Sequence, residues 1–163
     1  MAYSLRNHIP VLDWIQIEIT TNCTAECIYC PHSLLNVKKN LPLNSFQKLV
    51  PDLKHTNLVY LQGWGEPLLN TEIFEMIRIC KEQEIPVGFT TNGMLLDEDA
   101  AEKLVDLQLD ILAVSFAGTT DVIHNKIRKG TEFTKIISNV NKLNQIKSRE
   151  KSSLPALHIA YIM

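Results

Sequence analysis

Three of the four cysteines fall close together in Thr21-Asn22-Cys23-Thr24-Ala25-Glu26-Cys27-Ile28-Tyr29-Cys30-Pro31-His32, a C-x-x-x-C-x-x-C spacing. Three thiolates on a short loop can wrap one corner of a soft-metal centre, either zinc or an iron-sulfur cluster. Four thiolates would close such a site, whereas three leave one metal position open for water, substrate or a cofactor. A structural disulfide fits poorly, because three local cysteines leave one unpaired and Cys80 lies far away in a helical pattern. His32 could complete a closed three-cysteine, one-histidine zinc site. Those spacings are crowded for a tetrahedron, and zinc sites usually draw on two separated ligand pairs. Beside a cluster, the same histidine would tune potential through hydrogen bonds.

The elements that must hold this loop follow from periodicity. Residues 15–19 alternate apolar and polar, which predicts a strand running straight into the cysteines. Glu18 falls on its polar face, facing either a barrel interior or a solvated edge. Asn44 with Gln47 reads as a capping box for a helical stripe of Phe46, Leu49, Val50 and Leu53. Residues 58–62 form a second strand, turned by Gly63-Trp64-Gly65-Glu66-Pro67. Asn70 caps a helix burying Ile73, Met76, Ile77 and Cys80; a buried free cysteine behaves as a small hydrophobe, so Cys80 reads as core. A third strand at residues 87–90 leads into Thr91-Asn92-Gly93, and Asp97 caps a helix with Ala101, Leu104 and Val105 inward.

Residues 111–115 are a fourth strand, residues 132–147 a helix carrying Phe133, Ile136, Ile137, Val140 and Leu143, and residues 157–162 a fifth strand. Strands alternating with helices predict an α/β fold of parallel strands and right-handed crossovers. In such sheets and barrels the active site gathers at the carboxyl ends of the strands. Here those ends carry the cysteine loop, residues 62–66, residues 90–93 and Ser115. Taken alone, Asn92-Gly93 also reads as a simple turn and Ser115 as a strand terminus.

Composition narrows the function classes. At 163 residues, 45% apolar and 21% charged, the chain reads as one globular domain over 1–163. A formal charge of -2 and scattered lysines give no footprint for nucleic acid, and Lys38-Lys39 reads as a solvated loop. No apolar run approaches the ~20 residues of a membrane span. The N-terminus lacks a basic start followed by an apolar core, so the expected compartment is the reducing cytoplasm.

The cysteine spacing with an aromatic before its third member, followed by Gly65-Glu66-Pro67-Leu68, resembles the radical S-adenosylmethionine superfamily. Thr91-Asn92-Gly93, Ser115 and Lys126-Ile127-Arg128-Lys129-Gly130 match it as well. The resemblance spans about residues 15–162. It implies a partial TIM-like parallel (β/α) barrel, with about five strands present of an expected six. On that count the chain reads as a core domain shortened at its C-terminal end. The resemblance further implies that Cys23, Cys27 and Cys30 bind three irons of a 4Fe-4S cluster, with S-adenosylmethionine on the fourth. One electron then cleaves the sulfonium to methionine and a 5'-deoxyadenosyl radical, which takes hydrogen from substrate.

Cofactor contacts are implied for Gly65 and Glu66 toward the ammonium, Ser115 toward ribose or carboxylate, Arg128 toward the carboxylate, Asn92 and Thr90 along the cavity, and Tyr29 toward adenine. Arg128 also reads as a surface cation between two lysines, and Tyr29 as a cover for the cluster. Two positions depart from the pattern: Trp64 stands where a glycine is common, and Ser115-Phe116-Ala117-Gly118 lacks the usual aspartate. Implied partners are an electron donor and an unknown substrate, either a peptide or protein or a small metabolite. The nearest pattern is the subfamily with a C-terminal auxiliary-cluster (SPASM-type) domain. A glycyl-radical-enzyme activase and a non-catalytic iron-sulfur or zinc-binding module stand as alternatives.

Overall fold

The computed structural model describes residues 11–34 and 37–161. The stretch read for a targeting signal and Ile162, expected in the last strand, lie outside the described residues. In chain order the elements are β1 (Ile15–Gln16), β2 (Glu26–Cys27), α1 (Leu43–Gln47), α2 (Val50–Leu53), β3 (Val59–Tyr60), α3 (Ile73–Glu82) and β4 (Val87–Thr91). They continue with α4 (Glu98–Asp106), β5 (Ile111–Phe116), α5 (Asp121–Ile127), β6 (Arg128–Lys129), α6 (Phe133–Arg149) and β7 (Ala156–Tyr161).

Five strands form one parallel sheet in the order β1-β3-β4-β5-β7. The order never reverses, so right-handed crossovers all fall on the same face, as in a barrel rather than a doubly wound sheet. Alternation then sorts the side chains. Ile17, Ile19, Val59, Leu61, Val87, Phe89, Leu112 and Val114 are buried with Met76, Ile77, Leu104, Ile136 and Leu143 from the helices. The intervening residues, Gln16, Glu18, Tyr60, Gln62, Thr90 and Ser115, line the opposite, concave face. There Tyr60 Oη and Thr90 Oγ1 lie 2.9 Å apart.

Local departures from the expected elements have identifiable causes. The helix after the cysteine loop starts at Leu43 behind Pro42, so Asn44 sits inside its first turn, and the Glu72 Oε2 acceptor for Leu43 N at 3.0 Å takes the place of a local cap. Pro51 has no N–H to continue the ladder and opens α2 instead, which leaves Leu49 exposed. Asn70 acts ahead of α3 rather than as its N-cap: Oδ1 accepts from Glu72 N at 3.1 Å, and Nδ2 donates to Ile19 O at 2.8 Å and Leu41 O at 3.2 Å. That buried amide staples the end of the first strand to the chain returning from the cysteine loop. Asp97 caps α4 as expected, accepting from Ala100 N at 3.0 Å. Ile137 faces solvent, whereas Ile136 and Leu143 are buried. The helix α5 and the small antiparallel pair β2–β6 have no counterpart in the periodicity reading.

Candidate metal and cofactor centre

The cysteine loop leaves the carboxyl end of the first strand and is strapped on both flanks. On one side Thr21 N donates to Lys39 O at 2.9 Å, Lys39 N donates to Thr21 Oγ1 at 2.9 Å, and Asn22 Nδ2 donates to Asn40 Oδ1 at 2.9 Å. On the other, β2 pairs with β6 so that Cys27 faces Arg128 and Glu26 faces Lys129. Ile28 N continues this pairing to Ile127 O at 3.0 Å. Cys23, Cys27 and Cys30 are free and half-buried. They open on one cavity of about 110 Å³ at the carboxyl ends of the strands, together with Tyr29, Gly65, Glu66, Asn92, Ser115 and Arg128. The fold thus gathers every residue singled out for metal or cofactor binding. Thr90, Thr91, Gln62, Gly63 and Trp64 complete the wall.

The Gly65-Glu66 turn presses directly on the base of the cysteine loop. A Cβ on residue 65 would lie 2.7 Å from Asn22 O and 2.8 Å from the Thr20 carbonyl carbon, so only glycine allows this approach. Glu66 N donates to Asn22 O at 2.7 Å. The Glu66 carboxylate is buried and already engaged: Oε1 accepts from Thr91 Oγ1 at 2.7 Å and Leu68 N at 3.3 Å, and Oε2 accepts from Asn92 N at 2.7 Å. It braces the turn against the end of β4. Asn92 carries the brace onward, because Nδ2 donates to Thr24 Oγ1 at 3.1 Å within the cysteine loop.

Arg128 is buried and in cation–π range of the Tyr29 ring, and its Nη1 donates to Tyr29 Oη. Among the described residues its Nε–H has no acceptor. A buried guanidinium N–H without a partner costs free energy unless a ligand supplies the acceptor, and a carboxylate matches its planar fork. Behind it, His124 is fully buried. The imidazole Nδ1 accepts from Ala117 N at 3.3 Å, Nε2 lies 3.1 Å from Thr131 Oγ1, and that hydroxyl donates to Arg128 O at 2.6 Å. These bonds hold the Arg128 backbone through a neutral imidazole. Consistent with that, burial and then the Arg128 charge push the His124 pKa below its ordinary value.

Burial likewise pushes the Cys23 thiol up, the Tyr29 phenol up against the opposing pull of Arg128, and the Glu66 carboxyl up against its hydrogen bonds. Cys80, packed under α3, is pushed up to about 12 and belongs to the core.

The donor set fits a cluster better than a single ion. Among the described residues, no three His, Cys, Asp or Glu side chains converge as one metal ion requires. A zinc ion with bonds of about 2.3 Å to sulfur would need such convergence, whereas in a cluster each thiolate takes a different iron. His32 is turned away from ligation at Nε2, which lies 2.8 Å from Thr21 O, while its buried Nδ1 has no partner among the described residues. Among the described residues, no helix is long and apolar enough to cross a membrane.

Sequence reasoning assigned no role to Thr24, Thr91, His124 or Thr131: Thr24 and Thr91 bond Asn92 and Glu66, 68 and 25 residues away, whereas His124 and Thr131 form a local network with Ala117 and Arg128 that hydrophobic periodicity does not reveal. Only the Thr next to Asn92-Gly93 carried a local signal.

Comparison with known proteins agrees with this geometry. A family model described as the Radical SAM superfamily matches residues 17–158. The chain is 30% identical over 125 residues to MJ0804 of Methanocaldococcus jannaschii, covering 76% of this chain and 41% of that protein. It is 35% identical over 124 residues to a probable GTP 3',8-cyclase of Methanococcus aeolicus, covering 71% of this chain and 41% of that one. The chain therefore spans about 41% of the length of these relatives. Among solved structures, anSMEcpe with bound AdoMet and Cp18Cys peptide superposes with a TM-score of 0.69 at 23% identity, covering 93% of this chain and 42% of that one. At that identity the likeness concerns the fold.

Proposed function

Because this chain belongs to the radical SAM superfamily, we propose that it binds a 4Fe-4S cluster through Cys23, Cys27 and Cys30 and serves reductive cleavage of S-adenosylmethionine. The observation that carries the reading is that buried Arg128, whose Nε–H has no acceptor among the described residues, lines the same cavity as the three thiols. When bound, the cluster supplies the electron that splits the sulfonium to methionine and a 5'-deoxyadenosyl radical.

The chain's own residues do the positioning. Arg128 offers its free N–H to the cofactor carboxylate and holds Tyr29 over the cavity mouth. Gly65 brings the turn's backbone within reach of the ammonium, while Glu66 fixes that turn through Thr91 and Asn92. Ser115, on the concave face, offers a hydroxyl to the ribose. The buried wall of Glu66, Thr91 and Asn92 closes one side of the cavity to water.

The substrate of the whole protein is read as a peptide, a protein or a small metabolite. Support for a peptide is the matching fold of a neighbour crystallised with one.

Anaerobic reconstitution with iron and sulfide, followed by electron paramagnetic resonance of the reduced protein, tests the reading. A cubane signal that shifts when S-adenosylmethionine is added, and is absent in Cys27→Ala, supports it. Zinc bound without a cubane, or a cubane indifferent to the cofactor, overturns it.

A further inference from the structure

The concave face holds a second cavity of about 320 Å³, lined by Gln16, Glu18, Gln62, Gly63 and Trp64. It shares Gln62, Gly63 and Trp64 with the cysteine cavity, so a molecule bound there borders the cofactor site. Its size suits a small group, since ligand pockets start at roughly 300 Å³.

The lining has a single electrostatic bias. None of its side chains is cationic, and among the described residues Glu18 makes no ion pair. Trp64 N donates to Glu18 Oε1 at 2.6 Å, which fixes the carboxylate over the turn. Gly63 leaves the space it occupies: a Cβ there would lie 2.5 Å from Glu18 Cδ. Beside the carboxylate stand the half-exposed Trp64 indole and the carboxamides of Gln16 and Gln62. A fixed carboxylate, an aromatic face and amide oxygens are together the acceptors an alkylammonium needs, and they repel an anion.

We propose that this cavity is the substrate pocket and that it takes a protonated primary amine, paired with Glu18. Its role as substrate pocket rests on the cofactor reading above; its ligand class rests on the geometry around Glu18. The same ammonium can come from a free amine or from a lysine side chain in a peptide.

Anaerobic calorimetric titration of the reconstituted protein with S-adenosylmethionine present tests this, using n-pentylamine, acetyl-Gly-Lys-Gly-amide and uncharged n-pentanol. Glu18→Gln keeps an acceptor for the Trp64 N–H and removes the charge, whereas Gly63→Ala keeps the charge and displaces it. The expected result is saturable binding of an amine, none of pentanol, and Kd at least about tenfold higher in both variants. Tighter binding of the tripeptide assigns the amine to a peptide, and tighter binding of pentylamine to a small molecule. No saturable amine binding, equal binding of pentanol, or an unchanged Kd in Glu18→Gln overturns the proposal. The cofactor-induced resonance shift, read in the same unsubstituted sample, shows separately whether the cofactor reading survives that result.

Discussion

Replacing Gly65 with alanine should both destabilise the fold and empty the metal site. The added Cβ meets only backbone, at 2.7 Å from Asn22 O, 2.8 Å from the Thr20 carbonyl carbon and closer still to Thr20 O. An ordinary close C···O contact is about 3.3 Å, so the two segments must separate by more than about 0.5 Å. No side-chain rotation relieves this, because Thr20 is buried and held by Asn40 at 2.6 Å. Separation also strains the 2.7 Å bond from Glu66 N to Asn22 O, immediately before Cys23. Overpacking costs about 1–3 kcal/mol and a lost backbone hydrogen bond about 1 kcal/mol, together about 2–4 kcal/mol. For a chain of this size that lowers Tm by roughly 4–16 °C.

Scanning calorimetry of the metal-free protein measures the first effect, and iron per chain after reconstitution well below Tm measures the second. Leu104→Ala truncates a buried residue on α4 and should cost a comparable ~2–5 kcal/mol while iron loading persists. A Gly65→Ala protein with Tm within about 2 °C of the parent and full iron content would refute the steric argument.

Arg128→Lys keeps a charge but loses the free Nε–H, and should weaken S-adenosylmethionine binding by about 10–100-fold, the worth of one charge-assisted hydrogen bond; a resonance titration giving the parent Kd would contradict this. Glu66 binds its proton more tightly in the folded chain than at its ordinary value of 4.5, because burial raises its pKa. The corresponding stabilisation is complete below that value and is lost as pH rises through the folded pKa. Urea denaturation of the metal-free protein should therefore show the parent losing ground to Glu66→Gln as pH rises, and a gap that is flat or widens the other way would sink the assignment. With its thiol pushed up to about 12, Cys80 should escape iodoacetamide in the native metal-free protein while the half-buried Cys23, Cys27 and Cys30 react. Mass spectrometry showing four adducts without denaturant would be the contrary result.

The parts of the site readable in the sequence are those whose signal is local. The cysteine spacing, the Gly65-Glu66-Pro67 turn and Thr91-Asn92-Gly93 each sit where a strand ends, and a parallel α/β chain sends all strand ends to one rim. The parallel sheet itself follows from alternation between periods of two and 3.6. Arg128 was ambiguous because Lys126 and Lys129 flank it, and both are exposed while Arg128 is buried. Its burial comes from the β2 pairing and the Thr131 hydroxyl, neither visible as periodicity. The same holds for Glu66, whose carboxylate is used up by the end of the next long strand. Around residues 43–53 a helical stripe masked the effect of Pro51, because apolar spacing says nothing about a missing N–H.

The pairing of Cys27 with Arg128 also sets an order of events in biosynthesis. Tyr29 and Arg128 are 99 residues apart. At roughly 5–20 residues per second, the thiols leave the ribosome about 5–20 s before the segment that flanks them. During that interval the loop has its strap to Lys39 and Asn40 and, once Asn92 has emerged, a partner for Thr24, but no antiparallel neighbour and no guanidinium. Closing a loop of that span carries its entropic cost before any contact rewards it. The complete flanking of the three thiols, by β6 on one side and by Lys39 and Asn40 on the other, thus exists only in a chain that has grown past Lys129.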